Sequence, residues 1–214
     1  MGLFLGLDSS TQGLTALVVD TVRGEVVHQD VLNYGAEFPE YGSPQGFLPH
    51  ADPLVRHADP RLWVAALERL LGRLQAAGLT ARLDGLSGSA QQHGTVYLTR
   101  SFPEAPGPGE SLAACVGRSL ARPTAPIWMD ASTVAECRQI EAALGGADEV
   151  RRRTGSAAVE RFAGPQIRRF AVTDPAAYER TGVIHLVSSF LASVLTGVNA
   201  PIDPGGGAGM NLLN

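Results

Sequence analysis

The sequence contains no lysine, and all 17 of its basic residues are arginines. Without a lysine amino group, the chain has neither the phosphate-binding lysine of a P-loop nor a residue that could form a Schiff base or anchor pyridoxal phosphate. These three mechanisms are excluded. If the chain binds a nucleotide, groups other than lysine must therefore bind its phosphates.

Cysteine and continuous apolar runs are also scarce. The two cysteines, Cys115 and Cys137, lack the spacing of a zinc site, which favours free thiols in a reducing compartment. The apolar start of the chain has no cationic segment and is interrupted by Asp8, so it does not match an export signal. No apolar run reaches the length of a membrane span. We therefore expect a cytoplasmic protein with no membrane partner.

Positive charge is limited as well. The formal net charge is -4, and the basic residues are scattered except at Arg151–Arg153, so nucleic acid is not an expected partner. Apolar residues, by contrast, are abundant: they form 44% of the 214 residues, and the mean hydropathy is +0.04. This composition is sufficient for the core of one large domain.

Strand and helix patterns alternate along the chain. Three strands joined by short turns predict an antiparallel meander over residues 3–8, 14–20 and 25–32. Further strands are predicted at 83–89, 95–99, 126–129 and 183–186, and helices at 60–78, 132–144, 147–153, 165–171, 174–180 and 188–195. Proline and glycine predict loops over 33–60 and 101–123, and a turn at 204–207. The pattern predicts an α/β fold with a mixed sheet.

The end of the first strand is the first candidate site. Asp8 is followed by a short hydroxyl-rich turn, Ser9–Gly13, which could offer backbone amides and hydroxyls to a phosphate while the carboxylate holds Mg²⁺. An ordinary hairpin turn has the same composition for conformational reasons. Taken alone, this segment favours the hairpin.

Three other segments carry residue types suited to a polyol. Gln91–Gly94 offers amides and an imidazole, Trp128–Asp130 offers an aromatic face and a carboxylate, and Glu160–Gly164 offers an arginine. Each also has a structural explanation: a loop histidine, a core tryptophan followed by a helix cap, and a surface ion pair. Only the order and spacing of the four segments together distinguish the two interpretations.

In that order the segments resemble the FGGY family of carbohydrate kinases. The similarity includes Phe4–Gln12, Ser87–Val96 and Pro126–Thr133, and it continues through Glu160–Gly164 to Gly209–Leu213. It therefore extends over nearly the whole chain. The resemblance implies a ribonuclease H-like fold, as in actin, hexokinase and the Hsp70 ATPase, and ATP-dependent phosphorylation of D-xylulose to D-xylulose 5-phosphate in xylose metabolism.

The resemblance also implies roles for individual residues. Asp8 would position Mg²⁺ and the ATP phosphates, with Ser10, Thr11 and Gln12 in the phosphate-facing turn. The sugar would be contacted by a set of five residues: Gln92, His93, Trp128, Asp130 and Arg161. No catalytic base is expected in this chain, because in the family that carboxylate, the adenosine pocket and a second phosphate hairpin lie in a C-terminal domain. Residues 1–214 would be the N-terminal, sugar-binding domain, inactive alone.

Two other functions stay open at this stage. One is phosphorylation of another polyol or ketose, such as ribulose, glycerol or gluconate. The other is a non-catalytic sugar-binding protein on the same scaffold, because glycines at Gly205–Gly207 stand where a polar, Asp-containing turn is expected. The expected partners are the sugar, ATP and the C-terminal domain, and a homodimer is left open.

Overall fold

The protein is described here from a computed structural model that covers residues 2–212. Leu213, the last residue of the Gly209–Leu213 segment, lies outside the described residues. The predicted meander is confirmed: β1 (Leu3–Ser9), β2 (Gly13–Asp20) and β3 (Glu25–Asn33) are antiparallel neighbours. Alternation of buried and exposed side chains along β1 explains why this segment forms a strand with one face in the core.

The mixed sheet is confirmed too. Strand β5 (Gly85–Ala90) lies parallel to β1, so that the order of the four-stranded sheet is β3-β2-β1-β5. The chain between β1 and β5 crosses over through α2 (Pro60–Ala76), which begins at the N-cap Asp59 and has proline at its first position. Because β1 and β5 run in the same direction, the loops that follow them emerge at one edge of the sheet.

The core lies between the sheet and two helices. The apolar stripe of α2, with Trp63, Leu67 and Leu70 among its members, packs on the inner face of β1 and β2. Helix α8 (Val187–Thr196) packs beside it through Phe190 and Leu191. This arrangement places helices over one face of the sheet and fixes the edge at which β1 and β5 end.

The remaining strands form two small ladders. Strand β6 (Thr95–Thr99) pairs with β8 (Thr181–Leu186) in an antiparallel sheet of its own. Strand β4 (His57–Ala58) pairs with β7 (Ala125–Pro126). The predicted strand at 126–129 is therefore wrong beyond Pro126, because the backbone turns at Ile127, whose carbonyl accepts from the amide of Asp130 at 2.9 Å.

Two loop predictions are wrong. Residues 101–123 contain α3 (Leu112–Ser119), which Ser111 caps by accepting from the amide of Ala114 at 3.2 Å. The predicted Pro/Gly turn at 204–207 is part of α9 (Pro204–Met210), where the N-cap Asp203 accepts from the amide of Gly206 at 2.7 Å. In both cases a capped helix start outweighs the low helix propensity of its neighbours.

The other predicted helices are confirmed within one to two residues at each end. They are α4 (Val134–Leu144), α5 (Ala147–Thr154), α6 (Ala163–Thr173) and α7 (Pro175–Arg180). The segment 33–60 is mostly irregular, with a short helix α1 (Tyr34–Glu37) and one 3₁₀ turn, Pro39–Tyr41. Within residues 2–212, no helix is both long and apolar enough to cross a membrane.

Candidate functional site

An open cavity of about 440 Å³ lies at the edge where β1 and β5 end. It gathers residues from four parts of the chain that are far apart in sequence. Seven of the nine predicted site residues line it: Asp8, Ser10, Thr11, Gln92, His93, Trp128 and Arg161. Ala90 and Gln91 complete the lining. The other two predicted site residues, Gln12 and Asp130, are not part of this lining.

Asp8 is the next-to-last residue of β1. It is opposite Ser89 in the parallel register, and the hydroxyl of Ser89 donates a hydrogen bond of 2.5 Å to Asp8 Oδ1. The carboxylate is exposed on the cavity side, so its second oxygen is open to solvent or a ligand. Ser89 is thus an orienting residue that sequence reasoning did not single out, since its contact depends on the pairing of β1 with β5.

The turn after β1 has a fixed shape. The amide and hydroxyl of Ser10 both donate to the carbonyl of Gly13, at 2.9 and 3.1 Å. Gly46, at φ +82°, packs so closely on the backbone of Thr11 that a Cβ at position 46 would overlap with the carbonyl group of Thr11. The Gln12 carbonyl accepts from the amide of Tyr34 at 2.9 Å, and the Gln12 side chain is exposed. These contacts hold the turn in place against the loop 33–60.

Thr11 also holds the aromatic wall of the cavity. The indole Nε1–H of Trp128 donates to Thr11 Oγ1 at 2.9 Å. Because Thr11 accepts this bond, its own hydroxyl proton stays available to a ligand. Trp128 is 41% exposed and presents apolar ring surface to the cavity, which suits it to stacking on the C–H face of a sugar.

His93 is held in an unusual backbone conformation. Its φ is +61°, in the left-handed region that side chains other than glycine and asparagine rarely adopt. Backbone strain of this kind is typical of functional sites. Among the described residues its Nδ1 is buried without a hydrogen-bond partner, and its ring lies 5.3 Å from that of Phe162.

The electrostatics keep His93 neutral. Burial and the positive charge of Arg161 both lower the pKa of His93 below its ordinary value, and the backbone of Gly209 offsets this only partly. A neutral imidazole has one donor and one acceptor nitrogen. A neutral His93 ring nitrogen can therefore either donate to or accept from a hydroxyl group, according to the tautomer.

Gln91 is a second residue that sequence reasoning left out. Both its amide nitrogen and its amide oxygen are buried without a partner among residues 2–212. Leaving such groups unpaired costs about 1–3 kcal/mol, so a bound group or ordered water that satisfied them would be stabilised. The sequence drew attention to the segment Gln91–Gly94, but it did not show that Gln91, rather than only Gln92, belongs to the site.

Asp130 lies behind the cavity wall rather than on it. Its side chain is completely buried, with 0% exposure, although a direct contact with the sugar was expected from the sequence. Asp130 is among the residues that line a neighbouring open cavity of about 380 Å³, which shares Trp128 and Arg161 with the first. Asp130 is therefore absent from the lining of the first cavity but shares the second with Trp128 and Arg161.

No cluster of three or more metal-binding side chains occurs within the described part of the chain. Asp8 offers one exposed carboxylate. This is the donor set that Mg²⁺ accepts when phosphate oxygens and water complete its octahedral shell. The residues present fit a metal bound jointly with a nucleotide and do not fit a closed protein site.

The chain is similar to known kinases over almost its full length. It is 39% identical to Xylulose kinase 2 of Arabidopsis thaliana over 217 residues, a match that covers 99% of this chain and 39% of the relative. It is also 39% identical to the xylulose kinase of Mus musculus, covering 98% of this chain and 38% of the relative. The chain thus spans about two fifths of the length of these relatives. No protein-family profile matches it.

The fold has solved counterparts. The crystal structure of xylulose kinase from Bifidobacterium adolescentis superposes with a TM-score of 0.67 at 19% identity, covering 95% of this chain and 36% of the other. At that identity the likeness concerns the fold alone. Over nearly its whole length, therefore, this chain is a homologue of xylulose kinases, and it has the actin- and hexokinase-like fold of the FGGY carbohydrate kinases.

Proposed function

We propose that this chain binds D-xylulose in the cavity at the ends of β1 and β5, as the sugar-binding part of an ATP-dependent sugar kinase. The observation that carries the proposal is the convergence of Asp8, His93, Trp128 and Arg161 on one cavity of about 440 Å³. The similarity to xylulose kinases supports this choice of sugar.

The sugar end of the cavity would be formed by four side chains. Trp128 would cover the C–H face of the sugar, while Gln92, the neutral His93 and Arg161 exchange hydrogen bonds with its hydroxyl and carbonyl oxygens. Arg161 is an exposed cation, and its five donors suit it to oxygen-rich ligands. The mixed stacking and hydrogen-bonding surface favours a polyol over an apolar ligand.

The phosphate end would be formed by Asp8 and the turn after it. Asp8 would hold Mg²⁺ through its free oxygen while Ser89 fixes its orientation, and Thr11 would donate its hydroxyl proton to an ATP phosphate oxygen. The exposed Gln12 side chain could reach the same phosphates, and Ser10 shapes the turn. Magnesium bound there would neutralise charge during phosphoryl transfer. This mode of holding ATP needs no lysine.

We further propose that turnover needs a second domain. The relatives are about two and a half times as long as this chain, and the cavity is open to solvent on one side. A general base for the 5-hydroxyl and an adenosine pocket would face the cavity from that side. The isolated chain would then bind the sugar without efficient phosphorylation.

The first test is a titration of the chain with D-xylulose, followed by the indole cross-peaks of its two tryptophans in nitrogen–proton NMR spectra. The Trp128 peak should shift and saturate, while Trp63, which is 1% exposed in the core, provides an internal control. D-Ribulose, glycerol and gluconate should bind more weakly. Tighter binding of glycerol than of D-xylulose would contradict the proposed sugar.

A coupled assay for ATP-dependent phosphorylation tests whether turnover needs a second domain. The isolated chain should show almost no turnover, and robust turnover would overturn the need for a second domain. In a longer kinase that contains this sequence, Asp8→Asn should lower kcat by about 10²-fold or more. Asparagine has nearly the shape of aspartate but lacks the negative charge that would hold Mg²⁺ at the phosphates. Asp148→Asn, at a fully exposed carboxylate, is the matched control and should leave kcat unchanged.

The reducing interior of the cell is the compartment that we propose. Both cysteines are free and buried, and burial raises the pKa of the Cys115 and Cys137 thiols, the latter to about 11. Such thiols are protonated and unreactive at neutral pH. Measuring two free thiols in the purified, unfolded protein would support this assignment.

A further inference from the structure

The carboxylate of Asp130 is the most densely bonded buried charge near the site. Its Oδ1 accepts from the amide of Ser132 at 3.0 Å, the hydroxyl of Ser132 at 2.7 Å and the side-chain amide of Gln166 at 2.7 Å. Its Oδ2 accepts from the amide of Arg56 at 2.9 Å and faces His57 Nε2 at 3.4 Å. Both oxygens are therefore fully occupied by protein donors.

The donors on Oδ1 connect two walls of the cavity. Trp128 is two residues before Asp130 on one wall. On the other wall, Gln166 Nε2 also donates to the carbonyl of Glu160 at 3.0 Å, and Glu160 directly precedes Arg161. The hydroxyl of Thr133 donates to the same carbonyl at 2.6 Å. One buried carboxylate thus links the segment that carries Trp128 to the segment that carries Arg161.

The donors on Oδ2 anchor this link to the rest of the fold. His57 lies on β4, and its other ring nitrogen pairs with the hydroxyl of Thr124 at 2.9 Å, so that both nitrogens of a neutral ring are satisfied. Burial by itself would raise the pKa of Asp130. Hydrogen bonds from His57, Ser132 and Arg56 outweigh burial and hold that pKa well below its usual range, so the group is a carboxylate at neutral pH.

We propose that Asp130 is a positioning residue: through Gln166 it fixes the separation of Trp128 and Arg161, and thereby the width of the sugar-binding cavity. Both residues line the same open cavity, and neither segment is part of the four-stranded sheet. The inference rests on the proposed function for its sugar-binding consequence. The link between the two walls stands on geometry alone.

Gln166→Leu is the variant that removes the bond from Gln166 to Asp130 while the bond from Thr133 to the Glu160 carbonyl remains. Leucine has nearly the same size but cannot donate, and it removes the oxygen Oε1 of Gln166, which is already buried without a partner among the described residues. Asp130 keeps both donors from Ser132, and Glu160 keeps the donor from Thr133. The variant should therefore fold. Ser193→Ala, which removes the hydroxyl that accepts from the amide of Ala200 at 2.9 Å, is the matched control.

The first measurement needs no sugar. In Gln166→Leu, the Arg161 Nε–H cross-peak should move or broaden relative to the wild type, whereas Ser193→Ala should leave it in place. Unchanged Arg161 and Trp128 side-chain peaks in Gln166→Leu would overturn the positioning role, whatever the protein binds. Asp130→Asn should disturb both peaks, because its amide would face the donors of Arg56 and His57.

The second measurement is the dissociation constant for D-xylulose. We expect Gln166→Leu to weaken binding by about 10-fold, which corresponds to about 1.4 kcal/mol, and Ser193→Ala to bind as the wild type does despite a comparable loss of stability. Wild-type affinity in Gln166→Leu would refute the proposal. A wild-type chain that binds no sugar would refute the proposed function instead and leave the sugar-free measurement to decide on the link.

Discussion

The indole of Trp128 and the hydroxyl of Thr11 are joined by a hydrogen bond of 2.9 Å, although 117 residues separate them in the sequence. The bond ties the segment after β7 to the turn after β1, and so it joins the proposed sugar end of the cavity to the proposed phosphate end. An indole N–H can only donate, and Thr11 is therefore its acceptor. The orientation of the tryptophan ring therefore depends on the turn after β1.

Thr11→Val should release this ring while keeping the shape of the turn. Loss of one hydrogen bond with a partly exposed donor corresponds to about 1 kcal/mol, or about 5-fold in the affinity for D-xylulose. The Trp128 indole proton should also exchange faster with solvent. Thr11→Ser retains the acceptor and should restore both properties; a sugar affinity in Thr11→Val equal to the wild type would argue against a fixed ring.

Two substitutions of His93 should distinguish the cost of its backbone conformation from its contribution to sugar binding. His93→Ala and His93→Gly both remove the imidazole, but only glycine relieves the cost of φ +61°, which is about 1 kcal/mol. Urea denaturation should therefore show the glycine variant to be more stable than the alanine variant by about that amount.

Both His93 variants should lose D-xylulose affinity by about 10-fold or more, as should Arg161→Ala. In a longer kinase the loss should fall on the KM for sugar rather than on the KM for ATP. If the sugar KM stayed at its wild-type value in the His93 and Arg161 variants, neither residue would contact the sugar.

The folded protein should lose stability as the pH falls below about 6.5. Burial lowers the pKa of His57, His93 and His185 from the ordinary value, so the unfolded chain binds more protons than the folded one between the lowered values and about 6.5. The stabilisation is present above this window and is lost below it. Urea midpoints should be lower at about pH 5.5 than at about pH 7.5.

His185→Gln should weaken this pH dependence. His185 is almost completely buried, and its ring nitrogens lie 3.0 Å from Ser189 Oγ and 3.3 Å from Asn199 Oδ1. Glutamine keeps hydrogen-bonding capacity but does not titrate. An unchanged difference between the two urea midpoints in this variant would exclude His185 as a contributor.

The glycine-rich helix α9 should be open to stabilisation. A Cβ at Gly207 would meet only Ile202 Cγ2 at 3.9 Å, so Gly207→Ala should gain about 0.5–1 kcal/mol from helix propensity, or roughly 1–4 °C in Tm. At Gly206 a Cβ would lie 2.7 Å from the capping carboxylate of Asp203 and 3.2 Å from Leu186. Gly206→Ala should therefore gain less or lose stability, and equal gains at both positions would contradict this packing.

Segments with a regular pattern could be predicted from the sequence. The alternation along β1 and the apolar stripe of α2 are properties of contiguous residues, so their structure follows from local spacing. Helix α3 was missed because prolines and glycines before Glu110 conceal a short amphipathic segment that only Ser111 caps. Pro126–Met129 is apolar enough for a strand, but a strand needs a partner, and β4 offers only two residues.

By itself, the sequence determined the meander, the main helices, the absence of lysine chemistry and the four segments that carry polar and aromatic groups. Only the tertiary structure decided which of these groups meet. Parallel pairing of β1 with β5 brings the Ser89 hydroxyl within hydrogen-bond distance of Asp8. Contacts with Arg56 and His57, more than 70 residues away in sequence, bury the Asp130 carboxylate behind the wall of the cavity. Such contacts depend on how distant segments pack, and local residue order contains no information on that packing.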